Sequence, residues 1–218
     1  MALDLLIVDD SAAIPKIKQR VLQQTEIPIG SVYEAGDGNE GLIAMTKEQV
    51  ADALKRAATE ALSTMLSIDC KPKDMYTENL ALGDAEGVVS FIGLTGKYAG
   101  TGGMQCTSES ARHLSSKFLM AEFAAVNEEV LDAFGELTNM IIGNFKTEME
   151  NVVGPMGMSI PTVIYGRNFT TRSLGHEEWV VVPFDCGGHQ LEVKVCLKAQ
   201  NPGTESTHQA AKPQFIVG

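Results

Sequence analysis

The sequence predicts an α+β fold, with helices packed on one face of an antiparallel sheet, and three observations lead there. Long amphipathic helical runs alternate with whole groups of short strands, not with single strands as in a parallel sheet. Glycine and aspartate punctuate the strand groups, which suits hairpins. At 218 residues and 44% hydrophobic content, the chain is long and apolar enough to bury a real core.

The elements follow in order along the chain. Residues 3–8 form an apolar run ending in Asp9, Asp10 and Ser11, and a helical stretch follows to about Gln24. A second strand passes through Val32 and Tyr33 until Gly36-Asp37-Gly38-Asn39 breaks it, and Glu40 to Met45 can begin another helix. This opening is a short, partial α/β segment, residues 1–45. A new start signal stands at Thr46, whose spacing to Gln49 fits a capping box before the run Val50, Leu54, Ala57, Ala61 and Met65. Lys71-Pro72-Lys73 closes that helix. Strands at about 77–82, 87–94 and 99–107 read as an antiparallel meander. Thr107 or Ser108 can cap a helix to about Met120, and another helix starts near Asn127 and is closed by Pro155 and Gly157. Strands near 162–165, 179–185 and 190–197 complete a domain spanning residues 46–199, and residues 200–218 form a polar tail.

Charge and composition exclude several functions. The net charge is −11 and the pI about 4.8, with no cluster of Lys and Arg, so nucleic acid and anionic membrane surfaces are not expected partners. No apolar stretch approaches the roughly 20 residues of a membrane span, and the chain opens with acids where a signal peptide carries positive charge, which gives a cytoplasmic expectation. Four cysteines without a CxxC pair read as reduced thiols. Cys186, His189 and Cys196 with His176 could be imagined around zinc, but Gly187-Gly188 marks a hairpin turn and no metal site is expected. GLTGKYAGTGG lacks the Gly-Lys-Ser/Thr helix opening of a phosphate loop and reads as a glycine-rich hairpin. A nucleophile elbow is also missing.

The segment that carries chemistry is ELTNMIIGN. On a helical projection Val130, Phe134, Leu137, Ile141, Phe145 and Val152 form an apolar stripe, while Glu136, Asn139 and Gly143 cluster on the opposite side, with Asn144 next to them. An outward carboxylate and amide ordinarily make a solvated face. Gly143 argues for more, because a glycine inside a helix costs about 1 kcal/mol relative to alanine and here leaves room for another surface to approach. The acidic pair Asp9-Asp10 at a strand end can either hold Mg²⁺ or simply solvate the strand terminus.

Two resemblances attach to these residues. LLIVDDS with EAGDGNEGL resembles the first two strand and helix units of a response-regulator receiver domain, whose acidic pair binds Mg²⁺ beside a phosphorylated aspartate. It ends after about 45 residues, short of the strands that carry a receiver's phosphoacceptor, Ser/Thr and Lys, so phosphoryl acceptance is not expected of it. ELTNMIIGN, with the hairpin GLTGKYAGTGGMQCT leading into a helix, resembles the CheX members of the CheC-type chemotaxis phosphatases over residues 46–199. That likeness implies an aspartyl-phosphate phosphatase acting on a phosphorylated CheY-like response regulator in chemotaxis or two-component signalling. It makes Glu136 and Asn139 the catalytic pair: Asn139 orients the attacking water and Glu136 pairs with a cationic group of the regulator. Gly143 and Asn144 are then partner-binding. The family implies no cofactor of the chain's own, Mg²⁺ in the regulator, and a homodimer. The alternative is a non-catalytic module that binds a regulator or another signalling protein through the same helix.

Overall fold

The computed structural model describes residues 3–8, 29–35, 46–79, 85–169 and 178–200. The chain divides into two units, Met1–Thr46 and Lys47–Gly218. In the first, β1 (Leu3–Val8) and β2 (Ile29–Ala35) pair in parallel, with Leu6 opposite Tyr33 and Val8 opposite Ala35. The expected helices of this unit, the pair Asp9-Asp10 and the tail from 201 onward lie outside the described residues.

The second unit opens with α1 (Lys47–Leu66), which buries Val50, Leu54, Ala57, Ala58, Ala61, Leu62 and Leu66 along one face. Met65 was placed in that stripe by its spacing, yet it is 40% exposed and Leu66 takes the inward position. The strands β3 (Cys70–Pro72), β4 (Tyr76–Asn79), β5 (Ala85–Gly96) and β6 (Tyr98–Cys106) come next. Then follow α2 (Ser108–Leu119), α3 (Glu128–Val153), β7 (Met156–Met158), β8 (Thr162–Phe169), β9 (Glu178–Cys186) and β10 (His189–Ala199). This is an α+β fold: the strands form an eight-stranded sheet, all pairs antiparallel, in the order β3-β9-β10-β6-β5-β7 with β4 on β9 and β8 on β5.

The expected meander is only half present. β5 and β6 form a hairpin, but β4 pairs with β9 across the sheet instead of with β5. Side chains of β4 also reach past β9 to β10: the Tyr76 hydroxyl donates to Glu192 at 2.9 Å, and Glu78 lies 3.6 Å from the buried Lys194 ammonium. Strand order depends on such distant matches, which a local pattern does not contain.

The helices share one sheet face. Its core is built from alternate strand residues, including Val88 and Ile92 on β5, Met104 on β6, Val180, Val182 and Phe184 on β9, and Leu191, Val193 and Val195 on β10. On the opposite face Trp179, Val181 and Cys196 form a smaller apolar cluster with Phe91.

The cysteines differ from the sequence expectation. Cys70 and Cys186 stand directly opposite each other on β3 and β9 and are joined by a disulfide, with Cα atoms 4.1 Å apart. They are 116 positions apart in sequence, so spacing gave no hint. Cys106 and Cys196 are buried and not disulfide-bonded. The Gly187-Gly188 turn forms as expected, both residues at positive φ (66° and 90°), a conformation that glycine adopts without steric cost.

Candidate functional site

The 26-residue helix α3 carries every sequence-predicted site residue and is anchored at its start and on three sides. Asn127 caps its first turn, its side-chain oxygen accepting from the Val130 amide at 3.0 Å. Ser115 on α2 donates to the Val130 carbonyl at 3.1 Å, and the Arg56 guanidinium on α1 is bonded to Glu148, its Nε donating at 2.7 Å. Beneath the helix Gly102 on β6 removes the side chain that would otherwise collide with Ile142, since a Cβ there would lie 2.9 Å from Ile142 Cδ1. Gly135 does the same on the flank, where a Cβ would meet Val163 Cγ2 at 3.1 Å.

Alternation along the helix then sets the chemistry. Val130, Phe134, Leu137, Ile141 and Phe145 are fully buried. Val152, expected to continue this stripe, is instead 53% exposed, and Val153 turns inward at the helix end. Thr138 also faces inward and satisfies its hydroxyl by donating to the Phe134 carbonyl at 2.8 Å. Glu136 is exposed and Asn139 half-buried, one turn apart on the outward flank. Among the described residues no other side chain makes a hydrogen bond or ion pair with either of them. Gly143 is half-buried and Asn144 exposed. A Cβ at Gly143 would meet only Met158 Cε at 3.8 Å, an ordinary contact, so this chain's own packing does not demand glycine there.

The site is a helix flank and not a pocket. A cavity of about 960 Å³ lies elsewhere, between the end of α1, α2 and the start of β10, lined by Met65, Arg112, His113, Met120, Phe123 and His189 among others. Within it the His113 and His189 rings stack with centroids 3.9 Å apart. The imagined metal set is taken apart by these contacts, with Cys186 held in the disulfide and His189 on His113. Among the described residues no three His, Cys, Asp or Glu side chains gather to hold a metal. An exposed carboxylate and an amide without internal partners have donors and acceptors to offer only to an incoming molecule.

Known proteins resemble this chain in sequence and fold. Residues 88–185, which include all of α3, match the model of the family described as chemotaxis phosphatase CheX. The CheY-P phosphatase CheX of Thermotoga maritima is 27% identical over 129 residues, covering 58% of this chain and 82% of the relative. The crystal structure of a chemotaxis protein CheX from Desulfovibrio desulfuricans has a TM-score of 0.61 at 27% identity, covering 69% of this chain and 99% of that one. Over residues 88–185 the chain is thus similar to the CheX family. A further CheX-type structure, the CheX-CheY-BeF3-Mg complex from Borrelia burgdorferi, matches with a TM-score of 0.58 at 25% identity, over 67% of this chain and 96% of that one. The sequence reading missed Gly102 and Gly135, the two glycines that let α3 settle onto its supports. Gly135 directly precedes ELTN and was legible as a close-approach signal; Gly102 was hidden among the glycines of the hairpin.

Proposed function

We propose that this chain hydrolyses the aspartyl phosphate of a CheY-like response regulator, with Asn139 and Glu136 as the residues that enter the regulator's phosphorylated pocket. One observation carries the reading: Asn139 and Glu136 stand one turn apart on the outward flank of a firmly anchored helix, without partners of their own among the described residues. The likeness to the CheX family over residues 88–185 and the CheY complex of the similar Borrelia burgdorferi protein support it.

The chemistry asked of this chain is modest. A water oxygen attacks phosphorus in line, the bond to the aspartyl oxygen breaks, and the products are a free carboxylate and inorganic phosphate. The Asn139 amide can accept from and donate to its surroundings at once, so its carbonyl holds the water while its NH₂ steadies a phosphoryl oxygen. Glu136 pairs with a cationic group of the regulator and fixes the angle of approach. Gly143 and Asn144 lie under the same docked surface. The Mg²⁺ belongs to the regulator and offsets the charge of the phosphoryl oxygens. Holding the water in position is worth several kcal/mol of barrier, on the order of what a well-oriented encounter supplies.

The remaining assignments belong to the same proposal. Residues 1–45 are a truncated receiver-like segment that accepts no phosphoryl group, residues 46–199 the phosphatase domain and residues 200–218 a tail. The protein works in the cytoplasm, where response regulators are phosphorylated, and pairs as a homodimer through an open sheet edge. The test is the phosphate lifetime of each CheY-like regulator of the source organism with and without the protein. Wild type shortens it and Asn139→Ala does not, while both bind. Binding by wild type with an unchanged lifetime shows a docking module instead of an enzyme.

A further inference from the structure

We infer that Ile160 is a docking and specificity contact for the phosphorylated regulator, set beside the amide that faces the phosphoryl group; this rests on the function proposed above. Ile160 is 85% exposed, in the short link between β7 and β8. An isolated exposed apolar residue is ordinary on a protein surface, so the case depends on how this one is held and what it stands next to.

The link is pinned. The Ser159 amide donates to the Gly93 carbonyl at 2.9 Å, the Gly93 amide donates back to Ser159 Oγ at 2.8 Å, and that hydroxyl donates to the Ile160 carbonyl at 2.9 Å. Pro161 follows and fixes its own φ. Ile160 is therefore presented outward by a fastened backbone, which has little freedom left to lose when another surface covers it.

Its position follows from the helix contacts. Gly143 faces Met158, and Gly135 faces Val163 and Pro161, so the chain from 158 to 163 runs along the flank of α3 in the opposite direction to the helix. Asn139 lies one turn from each of these glycines, which places it at the level of Ile160. Tyr165, 49% exposed and on the same side of β8 as Val163, continues the strip. A specific protein interface covers about 800 Å² on each partner. A patch of that size centred on Asn139 must also cover Ile160. An apolar side chain at that place excludes water from around the polar pair, which strengthens the hydrogen bonds made within.

The experiment compares wild type, Ile160→Ser and Ile160→Leu for turnover of a phosphorylated CheY-like regulator and for binding of the same regulator loaded with BeF3⁻ and Mg²⁺. Ile160→Ser is expected to raise KM and weaken binding about tenfold with kcat within about twofold, and Ile160→Leu to restore both. An unchanged KM and affinity overturns the inference, as does a fall in kcat alone, or a loss of self-association without any effect on the regulator. Asn139→Ala in parallel separates the two ideas. If wild type binds but does not hydrolyse, the proposed function fails while the binding arm still decides the role of Ile160.

Discussion

Gly102 lies directly beneath Ile142, so close that a single added carbon would stand 2.9 Å from Ile142 Cδ1 and 3.0 Å from its Cγ2. The sheet therefore sets the height of α3, and with it the height of Asn139. Gly102→Ala must lift the helix or displace Ile142, at a cost of about 1 to 3 kcal/mol for overpacking. Chemical denaturation measures this, and phosphatase activity should fall as well, because Asn139 moves with the helix. An unchanged midpoint would show that Ile142 simply rotates aside.

In the proposed mechanism Glu136 has a role distinct from that of Asn139. Glu136→Gln keeps the shape and removes the charge, so kcat/KM toward the regulator should fall about tenfold or more, as expected when a charge-assisted hydrogen bond is weakened. Thermal stability should not change, since the side chain is exposed and has no partner among the described residues. A drop in melting temperature would point to a structural role.

The Cys70–Cys186 disulfide ties β3 to β9 across 116 positions of sequence. A crosslink over so long a loop limits the unfolded chain, and its removal typically costs about 2 to 4 kcal/mol. Wild type with and without reductant, compared with the Cys70→Ser Cys186→Ser variant, reads this out. Equal stability in all three would mean that the crosslink contributes nothing.

His113 gives the fold a pH dependence. Burial in the first place, then the stacked His189 and the nearby Lys117, hold its imidazole below the ordinary value of 6.5. The unfolded chain thus binds this proton more readily than the folded one, so the contribution to stability is complete above pH 6.5 and is lost as pH falls toward the depressed folded value. His113→Asn should flatten the stability curve in that window. A wild-type curve that rises on acidification would contradict the assignment.

Much of the second unit was legible in the sequence because its signals are local. Thr107 and Asn127 cap helices where their side chains suggested, and Gly187-Gly188 turns the last hairpin. ELTNMIIGN disclosed which residues of α3 face outward, since burial follows the 3.6-residue period. What it could not disclose is long-range. β4 pairs with β9 while Tyr76 and Glu78 reach across to β10, Cys70 met Cys186 through strand register, and Gly102 acquired its meaning only when Ile142 settled on it. Ile160 was invisible for a related reason: one isoleucine in a short link looks apolar and inward until Ser159 is seen to fasten the backbone to Gly93.

Within a single helical turn of α3, Leu137 and Thr138 hold the scaffold while Glu136 and Asn139 are left to the solvent side. Under the proposed function, folding and chemistry are thereby assigned to different neighbours, and selection can act on one without disturbing the other. Descendants of such a chain are free to lose turnover by a single outward exchange and persist as well-folded adaptors, so loss of activity need leave no trace in their architecture.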